Sequence, residues 1–224
     1  MFRTSRNTLV ALGAIAALAA CNLAGARSNP VALPAPSVDA APAPGQHQAI
    51  AVFAGGCFWG VEAVFDHVRG VSQATSGYAG GHAGPADYQS VSTGSTGHAE
   101  TVQVVYDPAQ VSYGQLLQVF FSVAHDPTQL NRQSPDVGSQ YRSEIFTTTP
   151  EQARIAKAYI AQLDATHAFH APIVTRVEPL RRFFRAEDYH QDYLQHHPDK
   201  PYIVYNDAPK LVALKQLFPK LYKG

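Results

Sequence analysis

The apolar positions change period several times along the chain, and each change marks an element. Ala49 to Ala54 is an unbroken apolar run, the pattern of a fully buried strand. Gly55-Gly56 interrupts it. Phe58, Val61, Phe65 and Val68 then recur at helical spacing. Val71 to Tyr78 reads as a second strand closed by Ala79-Gly80-Gly81, and Ala99 to Tyr106 as a third with period-two alternation. Ser112 is a cap for a helix bearing Leu116, Leu117, Phe120 and Val123. Arg142 to Thr148 predicts a strand. Thr149-Pro150-Glu151-Gln152 predicts a helix start with a capping box, the helix running to about Thr166. Ile173 to Val177 predicts a strand, and short helices are expected at Tyr189 to Gln195 and Lys210 to Phe218. Two polar stretches, His82 to Gly97 and His125 to Gln140, are long loops for a compact domain, and loops of that length are usually functional. Strands alternate with helices and also pair as hairpins, so a two-layer α+β sandwich is favoured over a doubly wound sheet.

Composition adds what lies before this domain. Arg3 and Arg6 precede an uncharged apolar stretch from Leu9 to Ala20, a secretory leader. Leu18-Ala19-Ala20-Cys21 resembles the processing box of bacterial lipoproteins, which predicts cleavage before Cys21 and its lipidation. Cleavage after Ala24-Gly25-Ala26 is the alternative. Either route predicts export, and the first places the protein in the periplasm on a lipid anchor. Residues 21–47 are rich in Pro and Ala and predict a semi-extended tether. Residues 48–224 suffice for one domain with a sizeable core. The chain has 17 basic and 17 acidic residues, and no basic stripe interleaved with aromatics, so a nucleic-acid partner is not expected. The one methionine is Met1, so an exported form would carry none, which suits a protein that meets oxidants.

The chemistry centres on Cys57. The chain has two cysteines, and the other, Cys21, lies in the leader. Cys57 falls at a strand-to-helix turn, where free N–H groups and the helix dipole favour a thiolate nucleophile. The glycine pair allows close approach of a ligand. Trp59, the only tryptophan, shares a helix face with Glu62 and Asp66 rather than with the apolar stripe, which puts a large aromatic beside the thiol. Strand alternation places Glu100 on the face of Val102, Val104 and Tyr106. It is then either a desolvated carboxyl that stays protonated or a frayed strand end in water. Tyr88 and Tyr141 offer hydroxyls from the two long loops, and Asp136 lies in the second.

Gly56-Cys57-Phe58-Trp59-Gly60 resembles the signature of the A-type peptide methionine sulfoxide reductases. Similar motifs follow in order: Ser76-Gly77-Tyr78-Ala79-Gly80-Gly81, Thr96-Gly97-His98-Ala99-Glu100, His125-Asp126-Pro127, Gln140-Tyr141-Arg142-Ser143 and Ala186-Glu187-Asp188-Tyr189-His190-Gln191. The resemblance implies a ferredoxin-like α+β core with a mixed sheet packed by helices. It implies that Cys57 attacks the sulfoxide sulfur and that Glu100 protonates the oxygen, with Tyr88 and Tyr141 bonded to it. Phe58 and Trp59 would hold the methyl group, with Gly56 and Asp136 completing the substrate site. The implied reaction reduces the S-epimer, free or in oxidised proteins and peptides, leaving a sulfenic acid on Cys57. Many relatives resolve that acid with C-terminal cysteines. Residues 195–224 contain none, which implies a single-cysteine subtype. It would need no bound cofactor and would be regenerated by an external thiol reductant, whether thioredoxin-like, glutaredoxin-like or a small thiol. A monomer is expected.

Competing readings are a thiol hydrolase pairing Cys57 with His98 or His190, a metal site using His190, His196 and His197, and a non-catalytic lipoprotein with an inert cysteine. No papain-type or caspase-type signature surrounds Cys57, and the histidine spacing fits no zinc motif.

Overall fold

The computed structural model describes residues 32–82 and 86–224. The leader and the Cys21 processing box lie outside the described residues. Strand β1 (Ala49–Gly55) is central. It is followed by α1 (Phe58–Asp66), β2 (Val71–Ala79), a short helix α2 (Tyr88–Ser92), β3 (Ala99–Tyr106) and α3 (Tyr113–Val119), which continues as a π-helical turn over Phe120–Ala124. A two-residue hairpin, β4 (Arg132–Gln133) and β5 (Asp136–Val137), interrupts the second long loop. Then come β6 (Ser143–Thr147), α4 (Pro150–Ala165), β7 (Arg176–Pro179), β8 (Phe183–Arg185), α5 (Tyr193–His196) and α6 (Ala208–Leu217).

The main sheet has the order β7-β6-β1-β3-β2-β8, antiparallel except for the parallel pair β6–β7. Its four central strands, in the order fourth-first-third-second, are those of the expected ferredoxin-like sandwich. Side-chain alternation sorts each strand between two layers. Ala51 and Phe53 of β1 and Val102 and Val104 of β3 face the helices, in the main core. There Phe53 stacks on Phe65 and Phe120, with ring centroids 5.0 and 4.9 Å away. Burying each such side chain contributes about 1.5–3 kcal/mol. Val52, Ala54, Ala79, Ala99 and Phe146 form a second, small cluster on the other face, covered by Leu180 and Phe183.

That second cluster exists because the sheet rolls up. The edge strands β7 and β8 are joined only by Leu180, Arg181 and Arg182. Four Cα steps span at most ~14 Å, whereas six flat strands would be ~24 Å across. The two edges must therefore approach each other, and small residues on the inner face permit it.

Three expectations change. The strand predicted at Ile173 to Val177 sits instead at Arg176–Pro179, because Val174 N–H turns away to bond the Pro127 carbonyl at 2.9 Å. Thr149 does cap α4, accepting from Gln152 N–H at 3.2 Å. The reciprocal half of the capping box is absent: Gln152 Oε1 accepts from Thr148 N–H and its Nε2 donates to the Ile50 carbonyl, tying α4 to β1. The tether is seated on the domain from Leu33 onward. Leu33 is buried in the main core, and the Leu33, Pro34 and Ala35 carbonyls accept from Gln118, Tyr159 and Gln162. Asp39 accepts from Ser112 Oγ and Gly114 N–H. Carbonyls of an extended proline-rich segment are free to accept such bonds without forming a strand or helix.

Candidate active site

Cys57 is the N-cap residue of α1, reached from β1 through two glycines that each meet a different obstacle. A Cβ on Gly55 would come within 2.9 Å of the Phe120 ring and 3.2 Å of His125. Gly56 has φ +91°, and a Cβ there would lie 2.5 Å from Gln133. Gly56 does not line the cavity beside Cys57, so its contribution is the turn that presents the thiol rather than substrate contact.

Glu100 is buried, with 3 % of its surface exposed, on the core face of β3. Its Oε2 accepts from Phe58 N–H at 3.0 Å, which ties the strand to the first turn of α1 beside Cys57. Burial pushes its pKa up to about 8; the Phe58 N–H opposes this, while Asp136 and Asp207 reinforce it. The desolvated acid of the two sequence alternatives is the one the fold forms, and the carboxyl is protonated at neutral pH.

Cys57 departs from expectation. Burial raises its pKa well above the ordinary thiol value, and the Glu100 and Asp207 carboxyls add to the effect. The Trp59 N–H and Lys210 oppose but do not overcome it. The helix terminus is therefore outweighed by desolvation, and Cys57 rests as a thiol.

A cavity of about 340 Å³ opens beside this pair. Its apolar wall is Phe58, Trp59 and Tyr193; Trp59 stacks on Tyr193 with centroids 3.8 Å apart. The Trp59 indole N–H donates to His190 Nδ1 at 3.2 Å, which fixes the ring. The polar wall is Glu100, Tyr88, Tyr141 and Asp136. Burial, then the Glu100 charge, raises the pKa of both Tyr88 and Tyr141, so their hydroxyls are donors throughout the neutral range. Tyr88 is held from behind by Glu187, which accepts its backbone N–H at 2.9 Å. Burial also raises the pKa of Asp136. The fold thus gathers around one cavity every predicted catalytic and substrate-binding residue except Gly56, while Cys21 lies outside the described residues.

It also adds residues that the sequence did not mark. Tyr193, Lys200, Pro201 and Tyr202 close the cavity, and the Tyr202 hydroxyl bonds to Asp136. Asp207, fully buried, pairs with Lys210 at 3.1 Å against Gly60 in the first turn of α1. Lys200, Pro201, Tyr202 and Asp207 stand between the two helices expected near the C-terminus, and Tyr193 and Lys210 within them, so only tertiary placement brings them to the site.

The hydrolase reading loses its base. His98 lies away from this cavity, and the Nδ1 of His190 is occupied by Trp59. Among the described residues, His190, His196 and His197 do not converge as metal ligands.

Residues 49–221 match the family model described as Peptide methionine sulfoxide reductase. The chain is 60% identical over 185 residues to Peptide methionine sulfoxide reductase MsrA 2 of Mesorhizobium japonicum, covering 83% of this chain and 94% of that one. It is 55% identical to the protein of the same name from Synechocystis, covering 78% and 81%. Among solved structures, Mxr1 from Saccharomyces cerevisiae in reduced form superposes with a TM-score of 0.61 at 32% identity, covering 69% of this chain and 88% of that one. Methionine sulfoxide reductase A of Corynebacterium diphtheriae gives 0.59 at 38% identity, covering 68% and 76%. With a buried thiol and a protonated carboxyl lining one aromatic-walled cavity, and with these relatives over most of its length, the chain belongs to the peptide methionine sulfoxide reductase family.

Proposed function

We propose that this reductase takes the S-epimer of methionine sulfoxide, free or within oxidised proteins and peptides, and transfers its oxygen to Cys57. The observation that carries the reading is Glu100, a carboxyl kept protonated by burial next to the only thiol among the described residues. Sulfoxide oxygen is a poor leaving group until protonated, so a neutral acid is needed at that point. Glu100 gives its proton to the oxygen while Tyr88 and Tyr141 donate hydrogen bonds to it. Cys57 attacks the sulfur, and Glu100 recovers the proton that the thiol gives up. The S–O bond breaks, the hydroxyl moves to Cys57, and the products are the thioether and a sulfenic acid. Atoms and charge balance without a bound cofactor. The methyl group lies against Phe58 and Trp59, and exchanging methyl and oxygen would put the polar atom on the aromatic wall, which selects one epimer.

No cysteine follows Cys57 in the sequence, so regeneration falls to an external thiol through a mixed disulfide on Cys57. The leader pattern supports export, with Cys21 as a lipid anchor holding a monomeric domain in the periplasm; the mass of the mature N-terminus tests this. For the chemistry, the test is single-turnover reduction of separated epimers with Cys57 trapped by dimedone. Consumption of the S-epimer with one oxygen added to Cys57 is expected. Equal rates for both epimers, or an unmodified Cys57, would reject the assignment.

A further inference from the structure

The rolled sheet leaves a second cavity at its open end, of about 640 Å³, sharing no lining residue with the one beside Cys57. Phe146 and Phe184 form part of its wall, and four arginines converge on it: Arg142, Arg176, Arg181 and Arg182. Arg142 is buried, bonded to Glu144 at 2.5 Å and to the Ser139 carbonyl at 2.9 Å. Arg182 lies over the Phe184 ring at 4.5 Å, a contact that leaves the edge of its guanidinium free for an acceptor. The Arg176 and Arg181 side chains have no hydrogen bond or ion pair among the described residues. Four guanidinium groups thus face two carboxylates, Glu144 and Glu178, one of them already spent on Arg142.

Clustered like charges repel, and exposed ones normally spread over a surface. Here the short link between β7 and β8 forces them together, because it carries Arg181 and Arg182 across the mouth of the roll toward Arg176. A concave site with an excess of two positive charges and planar donor forks matches a dianion with several acceptor oxygens. The volume leaves room for an organic group on that dianion.

We propose that this cavity binds a phosphomonoester. Its source is either a soluble phosphate ester or the monoester headgroup of phosphatidic acid; both present the same dianion to Arg176, Arg181 and Arg182. The site is independent of the sulfoxide chemistry.

The test uses the full chain with inorganic phosphate and glycerol 3-phosphate as soluble probes, by calorimetry at fixed ionic strength. A second arm uses phosphatidylcholine vesicles with and without phosphatidic acid. Saturable binding with a Kd of about 1 mM or tighter is expected in at least one arm. Because Arg176 and Arg181 are exposed, the double variant Arg176→Gln, Arg181→Gln should fold and reduce methionine sulfoxide as before. Its phosphate affinity should fall at least about tenfold. Binding to glycerol 3-phosphate assigns a soluble ester; binding only to phosphatidic acid vesicles assigns a headgroup. Absence of saturation in both arms overturns the proposal, as does unchanged affinity in the double variant.

Discussion

Burial holds the proton on both Cys57 and Glu100: Glu100 keeps one that it would lose in neutral water, and Cys57 keeps its own to a higher pH than a free thiol would. Both are buried, and nearby carboxyls add to the effect: Glu100 and Asp207 at Cys57, Asp136 and Asp207 at Glu100. Replacing Cys57 by Ser should leave the fold intact and abolish turnover, because a hydroxyl is a far weaker nucleophile. More than a tenth of wild-type activity on the S-epimer would exclude Cys57 as the nucleophile. Glu100→Gln should slow sulfenic acid formation by roughly 10²-fold, the usual loss for a positioned general acid; an unchanged single-turnover rate would remove Glu100 from that role. The same residue makes stability depend on pH. Between its ordinary pKa of 4.5 and the folded value of about 8, folded Glu100 keeps a proton that the unfolded chain has released. Stability therefore falls as pH rises through that window. Glu62, raised to about 8 by burial and by Asp66, acts in the same direction. Glu100→Gln should flatten the fall and stabilise the protein at pH 9 by up to about 5 kcal/mol, read from urea unfolding at pH 5 and pH 9. An equal pH dependence in both proteins would mean that Glu100 ionises normally in the fold.

At the scale of elements, the active site depends on how the C-terminal stretch meets α1. Gly60 is the contact. As a glycine in the first turn of a helix it should gain at most about 1 kcal/mol on change to alanine. However, the new methyl would lie 2.0 Å from Asp207 Oδ1 and 2.7 Å from Lys210 Nζ. Asp207 is fully buried and cannot move aside without taking the segment Tyr202–Asp207 with it. Overpacking of this kind costs about 1–3 kcal/mol, so the clash wins. Gly60→Ala should lower the urea midpoint and raise KM for sulfoxide through displacement of Tyr202. A variant more stable than wild type with unchanged KM would show that the Asp207–Lys210 pair is not packed on α1.

For the whole molecule, the decisive fact is that Cys57 is the only cysteine of the described fold. No disulfide can form within it after the sulfoxide is reduced. Without added thiol, one equivalent of protein should yield at most one equivalent of methionine and accumulate the sulfenic acid, seen as one added oxygen by mass. A small thiol or dithiol should restore turnover. Repeated turnover in the absence of any thiol would contradict this cycle. A disulfide between Cys21 and Cys57 as an obligatory intermediate would contradict both the cycle and the processing of the leader.

Local signals carried much of this protein. The apolar runs and their period placed β1, α1, β2, β3 and α4 to within a residue or two, because a buried face imposes its repeat on the sequence. The Gly-Gly-Cys57 turn and the alternation that put Glu100 on the core face were legible for the same reason. The family motifs named the site residues that the fold then gathered. Tertiary structure decided what depends on distance in space. Whether Glu100 was a desolvated acid or a frayed end turned on what covers it. Whether Cys57 rests as thiolate or thiol turned on burial outweighing a helix terminus that the sequence did reveal. The three-residue edge strand β8 has no repeat to read, and its pairing with β2 follows from the rolling of the sheet. Tyr202 and Asp207 lie in the stretch before the last predicted helix and Lys210 at its start, and the arginines at the mouth of the roll are scattered between positions 142 and 182. Their proximity is set by strand order and chain length, which no local pattern encodes.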